Sequence, residues 1–352
     1  MTFMRFRAEQ LADYLRESIQ RGELRDPLPA TRGWSKELGV GRTTLDEALS
    51  NLRREGLVTI VPGRGVRLNP AARAVARRSA GHPRLIRMLY SAHDYPYTLS
   101  HLNWVAMLEE RLYLHGAHVK LERYSDARWP AILRRSGPGE ELFVLCSLSP
   151  KRQRLFERSR KPCLIVGQPA PEVSLPFVRC DHEGMMRHAT HRLLRRGFAR
   201  VSFVAARCAA PAIPFMTDVF RSACAEWPRQ PVDAQVVLMP LELSAMATAA
   251  RHFAASITGR HGILVMAPIP VGMIQTAITR YASGAAGQVE FIGLLTTEPD
   301  IGVCPLPAHY PAPIERIAGI VANAAIRYFD TGALPTLRKI VGLKLIPESC
   351  PD

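Results

Sequence analysis

The stretch Glu37-Leu38-Gly39-Val40-Gly41-Arg42-Thr43-Thr44-Leu45-Asp46-Glu47-Ala48-Leu49 sets a tight two-glycine connection between two helical runs, and it decides the N-terminal fold. On its C-terminal side a helix is expected from Arg42 to Arg54, with Leu45, Ala48, Leu49 and Leu52 on one inward face and Gly56 closing it. On its N-terminal side a short helix runs back from Leu38 to the turn Leu28-Pro29-Ala30-Thr31-Arg32. Further back, Ala8, Leu11, Ala12, Leu15 and Ile19 recur at helical spacing, and Gly22 ends that run. Downstream, Leu57-Val58-Thr59-Ile60-Val61, Pro62-Gly63-Arg64-Gly65 and Val66-Arg67-Leu68 read as strand, turn and strand. Three helices followed by a β-hairpin wing form a winged helix-turn-helix, whose second motif helix fits the DNA major groove.

The start of that helix concentrates the chemistry. Arg42 can read guanine bidentately, while Thr43 and Thr44 can meet phosphate or a thymine methyl beside free backbone amides. Arg64 stands between two glycines at the wing tip, a shape suited to the minor groove or the backbone. For Arg53 and Arg54 a solvated helix end explains the charge equally well.

Phe6 to Leu68 resembles the DNA-binding domain of GntR-type regulators. The resemblance rests on Leu28-Pro29-x-x-Arg32, Glu37-Leu38-Gly39-Val40-x-Arg42-Thr43-Thr44, Ala48-Leu49-x-x-Leu52, Glu55-Gly56-Leu57 and Gly63-x-Gly65. It implies DNA contacts at Arg32, Arg42, Thr43, Thr44 and Arg64. Two positions depart from it. Asp46 stands where the family has arginine, and Ala30 replaces a small hydroxyl cap, leaving Thr31 as a substitute.

From Leu85 onward, apolar runs alternate with helical periods, as expected of parallel sheets covered on both faces. Strands are expected at 85–91, 117–122, 142–146, 163–167, 201–205, 235–239, 262–266 and 289–293, with helices between them. Val178-Arg179-Cys180-Asp181-His182-Glu183-Gly184, the run Leu193 to Val204, Phe291-Ile292-Gly293 and the proline-punctuated Val303 to Pro313 resemble the effector domain of LacI-type repressors, related to periplasmic sugar-binding proteins. The fold expected is therefore α/β: a winged helix-turn-helix plus a two-lobed, Rossmann-like, periplasmic-binding-protein-like body. The expected boundaries are residues 1–69 for the winged helix, 70–84 for a basic linker and 85–352 for the body. Within the body, lobe one is expected at about 85–177 and 307–333, and lobe two at about 178–306 and 334–349. The linker is either a hinge that touches phosphates or a solvated tether.

Strand ends of the two lobes would face a common ligand cleft. Candidates there are Asp94, Tyr95, Ser147, Gln168, Arg179 and Met216. Met216 aligns with a family arginine, Pro268-Ile269-Pro270 with an Asn-Asp pair, and Leu294 or Leu295 with an aspartate. Apolar side chains would leave sugar hydroxyls unpaired at roughly 1–3 kcal/mol each, so the resemblance implies an effector other than a simple monosaccharide. A dimerisation scaffold with a vestigial cleft is the alternative. Asp181 suits a helix cap better than a ligand contact, and Arg179 is either an anion partner or a solvated charge. His188 and His191 lie one turn apart, but no third ligand stands at suitable spacing, so no metal is expected.

Composition limits the rest. The net charge is +15, yet Met1 to Asn69 holds 12 basic against 9 acidic residues, so charge alone does not locate a DNA site. Seven scattered cysteines without a C-x-x-C pair fit buried free thiols. No apolar run reaches the roughly 18 residues of a membrane span and no leader pattern opens the chain, which places the expectation in the cytoplasm. A fused pyridoxal-phosphate enzyme would need a Schiff-base lysine, and the six lysines present occupy no recognisable site. With no Walker loop, nucleophile elbow or zincin motif, no catalysis and no cofactor are expected. The partners expected are double-stranded DNA with a palindromic operator, a small-molecule effector and a second copy of the chain, acting in repression.

Overall fold

The computed structural model describes residues 2–20, 24, 26–61, 65–70, 84–91, 99–124, 129–134, 141–296 and 307–348. The N-terminal unit is α1 (Thr2–Gln20), α2 (Thr31–Glu37), α3 (Arg42–Arg54) and the antiparallel pair β1 (Val58–Val61) and β2 (Gly65–Leu68). Its core joins Leu11, Ala12, Leu15 and Ile19 of α1 to Leu45, Ala48, Leu49 and Leu52 of α3, with Trp34, Val58, Val66 and Leu68 closing it. The turn from α2 to α3 needs glycine at 39, where φ is +65°, and Val40 N–H donates to the Ser35 carbonyl at 3.0 Å. Arg16 of α1 grips Glu55, just past α3, with two hydrogen bonds of 2.8 and 2.7 Å. Leu28 N–H donates to Val66 O at 3.0 Å, so the turn before α2 is laid against the wing.

The body contains two parallel sheets. The first is built from β3 (Arg84–Ser91), β4 (Ala117–Tyr124), β5 (Glu141–Cys146), β6 (Cys163–Val166), β7 (Phe177–Cys180) and β13 (Arg338–Val341), in the order β13-β7-β6-β5-β3-β4. The second is built from β8 (Arg200–Ala206), β9 (Asp233–Met239), β10 (His261–Met266), β11 (Val289–Thr296) and β12 (Ala308–Pro311), in the order β12-β11-β10-β8-β9. In each, the second strand in sequence lies outside the first and the third on its other side. That gives a topological switch point between β3 and β5 and another between β8 and β10.

Helices cover both faces. In lobe one, α4 (Leu99–Leu112) and α12 (Ile314–Thr331) bury Trp104, Leu108, Val321 and Phe329 on one face. On the other, α5 (Trp129–Arg134) and α6 (Pro150–Ser159) bury Trp129, Ile132 and Phe156. In lobe two, α7 (His182–Arg195) and α8 (Ala212–Ala225) cover one face. The other face is covered by α9 (Leu243–Ala255), α10 (Val271–Tyr281) and the short α11 (Ser283–Ala286). Fully buried strands such as β10 explain why these segments read as unbroken apolar runs.

The exchange points between lobes differ from the expected ones. β7 belongs to the first sheet, between β6 and β13, although residues from 178 were expected in lobe two. β12 stays in the second sheet beside β11, although lobe one was expected to resume at 307. β13 pairs with β7 rather than joining lobe two. The chain therefore crosses between lobes near 181, near 312 and near 342, after which Leu343 and Leu345 pack on lobe two and Ile346 bridges His309. Arg84, expected in the linker, opens β3 and donates to Asp330 at 3.0 Å. The rest of the linker, apart from Pro70, lies outside the described residues.

Among the described cysteines, Cys146, Cys163, Cys180 and Cys224 are buried. Burial pushes each of these thiols up to about 12, which leaves them protonated and inert. No helix among the described residues is long and apolar enough to cross a membrane.

Candidate nucleic-acid interface and interlobe cleft

The first turn of α3 is held open. Its N-cap is Gly41, and no side chain caps it, so the leading backbone N–H groups face outward. Arg42 projects from this turn with 69% of its side chain exposed, Thr43 is exposed beside it, and Thr44 is half-buried. Arg32 is exposed one residue into α2. Arg64 lies outside the described residues, but the strands that carry the wing tip are in register from Val58↔Leu68 to Val61↔Gly65. Four of the five expected DNA contacts are thus described, and all four stand at or near the two motif-helix N-termini.

Asp46 changes the character of this surface. It lies one turn after Arg42, with Oδ2 3.8 Å from Arg42 Nε, and is itself 54% exposed. Glu47 is exposed next to it. The helix that would enter the groove thus carries two carboxylates, and Arg42 is partly drawn along the helix. Thr31 does not replace the missing hydroxyl cap: it is the first residue of α2, and the N-cap Ala30 accepts no side-chain bond. Two exposed cations near this surface, Lys36 on α2 and Arg67 on β2, escaped the sequence reading. Only their outward register, alternating with buried Val66 and Leu68 in the case of Arg67, could have indicated them.

In the body, the rule for open parallel sheets puts ligand binding outside the carboxyl ends of β3 and β5 in one lobe and of β8 and β10 in the other, at the two switch points. Asp94 and Tyr95, after β3, lie outside the described residues. Ser147 follows β5 with φ at +50°, and its N–H donates to Val166 O at 3.2 Å. Gln168 follows β6, and its side chain lies 3.5 Å from His182 Nδ1. Gln153 of α6, completely buried, holds both loops in place. Its Nε2 donates to Leu148 O (2.9 Å) and Gln168 O (3.2 Å), while its Oε1 accepts from Ala170 N–H (2.8 Å). Sequence reading missed this role, since a helix glutamine gives no sign of pointing inward.

Arg179, on β7, is half-buried. It donates to Cys180 O at 3.2 Å, and its guanidinium sits 5.6 Å from the centre of the Phe215 ring on α8. The contact joins a lobe-one strand to a lobe-two helix. Met216, expected to line the cleft, instead lies wholly inside the lobe-two core beside Phe203 and Phe220. One residue along a helix turns the side chain by about 100°, so Phe215 takes the position assigned to Met216. Leu294 is fully buried, Leu295 is half-buried with φ at +53°, and Pro268 is half-buried.

Asp181 caps α7, accepting from Gly184 N–H at 3.0 Å. A Cβ at 184 would come within 2.3 Å of that carboxylate, so the cap requires glycine there. His182, buried behind the cap, is pushed down to about 4 by burial and by the Arg179 charge. His188 is hydrogen-bonded to Tyr310, and His191 stacks at 5.6 Å on Trp227. Each ring thus has its own partner, and the described residues contain no cluster of three metal-ligating groups.

Fold and sites together define a winged helix-turn-helix joined to a two-lobed α/β body of the periplasmic-binding-protein type. Residues 7–68 match the family of bacterial regulatory proteins of the gntR type. Over 58 residues the chain is 41% identical to the HTH-type transcriptional repressor NagR of Bacillus subtilis (strain 168), a match that covers 16% of this chain and 24% of that protein. Solved structures extend the likeness to the body. The complex of the transcriptional regulator CelR with cellobiose aligns with a TM-score of 0.58 at 16% identity, covering 92% of this chain and all of that one. A LacI family transcription regulator from Clostridium acetobutylicum aligns at 0.61 and 10% identity, over 76% of this chain and 100% of that chain. The lac repressor dimer bound to operator and the anti-inducer ONPF aligns at 0.60 and 13% identity, over 78% and 96%. At such identities the likeness concerns the fold.

Proposed function

We propose that the protein is a DNA-binding transcription regulator, acting as a repressor, whose two-lobed body senses a small molecule. The observation that carries this reading is the uncapped start of α3, which presents Arg42, Thr43 and free backbone N–H groups together on the outer face of a helix-turn-helix. The relatives are a repressor, a regulator in complex with cellobiose and a repressor dimer on its operator, which supports the same reading. The effector would enter the crevice at the two switch points, meeting Ser147, Gln168 and Arg179 on one side and Phe215 and Leu295 on the other. A wall of that composition favours a ligand with an apolar face over a simple monosaccharide.

The DNA-bound form is a homodimer on a palindromic site. For its contact surface we assign the lobe-two groove between α9 and α10 to a second copy of the chain. Tyr281 there is 45% exposed beside half-buried Met273, and Leu243, the first residue of α9, is 68% exposed. Effector binding would shift the relative position of the lobes and so the spacing of the two winged helices.

Selection of duplexes from a random pool by the purified protein tests the reading. Enrichment of a palindromic motif is expected. Arg42→Ala should lower affinity for it by about 1–3 kcal/mol and relax preference at one position in each half-site. No enrichment, or an unaltered affinity in the variant, would overturn it. A second reading is favoured by the Arg179–Phe215 contact, which fills part of the crevice with the protein's own side chains. There the body is a dimerisation scaffold without an effector. Thermal unfolding against a metabolite library separates the two, since a compound that binds the native state raises the midpoint.

A further inference from the structure

Lobe two has a cavity of about 380 Å³ at the end opposite the crevice, where β10 and β11 begin and α7 finishes. Arg192, Arg196 and Arg260 line it, facing Glu290 and Glu348. Glu290 is already taken: Arg196 Nε lies 2.7 Å from its Oε2. Arg260 lies 4.9 Å over the Phe198 ring and donates to Arg196 O at 3.0 Å, which fixes the guanidinium, and like Arg192 it stands close enough to Glu290 to feel its charge. Arg192 is half-buried, and its Nε is sealed from solvent with no hydrogen-bond partner. Gln275 of α10 lines the same cavity, and its Oε1 is likewise buried without a partner. The lining thus sets three arginines against the two carboxylates of Glu290 and Glu348, an excess of one positive charge, with an unpartnered donor and an unpartnered acceptor in its walls beside the rings of Phe198 and Phe291.

We propose that this cavity is a second ligand site, taking a small metabolite that carries a phosphate or carboxylate group with a hydroxyl close to it. The anionic oxygens would lie between the Arg192 and Arg260 guanidinium groups, whose planar donor sets suit such groups. The hydroxyl would donate to Gln275. The site stands apart from the crevice and from α3, so it depends on neither the DNA reading nor the effector reading.

The probes are inorganic phosphate and glycerol 3-phosphate, titrated into the full-length protein at fixed ionic strength and followed by calorimetry and phosphorus NMR line width. Saturable binding of one equivalent is expected, tighter for glycerol 3-phosphate. Arg192→Gln and Arg260→Gln should each weaken both probes at least tenfold, whereas Arg154→Gln, which breaks a surface pair with Glu172 in lobe one, should leave them unaltered. Gln275→Leu should erase the advantage of glycerol 3-phosphate over phosphate. Arginines in the last turn of α7 also favour the helix dipole. If that were their whole role, Arg192→Gln would lower the unfolding midpoint and leave probe binding as it was. That result, or no saturable binding of either probe, would overturn the proposal. Arg260 lies outside α7, so its variant tests the site even where Arg192→Gln folds poorly. Retention of operator by the same variants is read separately.

Discussion

Asp46 sets the balance of the reading helix. A carboxylate one turn from Arg42 holds that guanidinium partly along the helix and repels phosphate. Asp46→Ala should therefore tighten binding to every duplex, selected or not, and steepen the dependence of affinity on salt, as measured by fluorescence anisotropy at several salt concentrations. His182 makes a second prediction at this scale. Its folded value, near 4, lies below the 6.5 of the unfolded chain. The unfolded state therefore takes up a proton first as pH falls. Stability is lost progressively from pH 6.5 down to 4 and levels off below, with about 2 kcal/mol lost at pH 5 from this group alone. Burial pushes His261 in the same direction. His182→Gln should flatten the difference in unfolding free energy between pH 7 and pH 5, measured by denaturant titration at both. The reach of Asp46 toward Arg42 follows from their four-residue spacing on one helix, whereas the depressed histidine is not visible in sequence, because it depends on the burial and the Arg179 charge that the fold brings to His182.

Elements marked by strong punctuation were legible. The reading helix was placed at Arg42 to Arg54, bounded by Gly41 and Gly56, and α3 has those limits. Buried strands such as β5 and β10 stood out as apolar runs. β7, β12 and β13 did not, since Arg179 in β7, His309 and Pro311 in β12, and Arg338 and Lys339 in β13 interrupt the apolar pattern. That is why the lobe boundaries shifted while the sheet class held. The Met216 assignment failed through helix geometry, where an offset of one residue exchanges a cleft-facing ring for a core side chain. Gln153 was invisible for the opposite reason: a polar residue on α6 turns inward to bind two loops at once. Gln153→Leu keeps the volume but leaves Leu148 O, Gln168 O and Ala170 N–H without their partner. It should lower stability by about 1–3 kcal/mol and weaken binding of any effector found by thermal screening. Operator affinity without effector should stay unaltered, which an anisotropy titration would show.

At the scale of the molecule, the two lobes share one order among their first strands, and the pairing surface proposed above lies on lobe two, with Leu243 and Tyr281 exposed on its helices. Leu243→Arg puts a charge where the second copy would bury an apolar side chain. It should shift the protein from dimer to monomer in sedimentation velocity and reduce operator affinity, while the far-ultraviolet circular dichroism stays as in the parent. The three lobe crossings carry a consequence for biosynthesis. Lobe one lacks an edge strand and a covering helix until residues 314–341 have been made, and lobe two lacks its closing contact at His309 until Ile346 follows. The winged helix, by contrast, has all its own helices and strands by Leu68, and only Tyr113 of the body is described packing on its core. On the ribosome the head can fold while the body waits for nearly its last residues. Any chain that terminates early would release a folded winged helix without the body that completes the molecule.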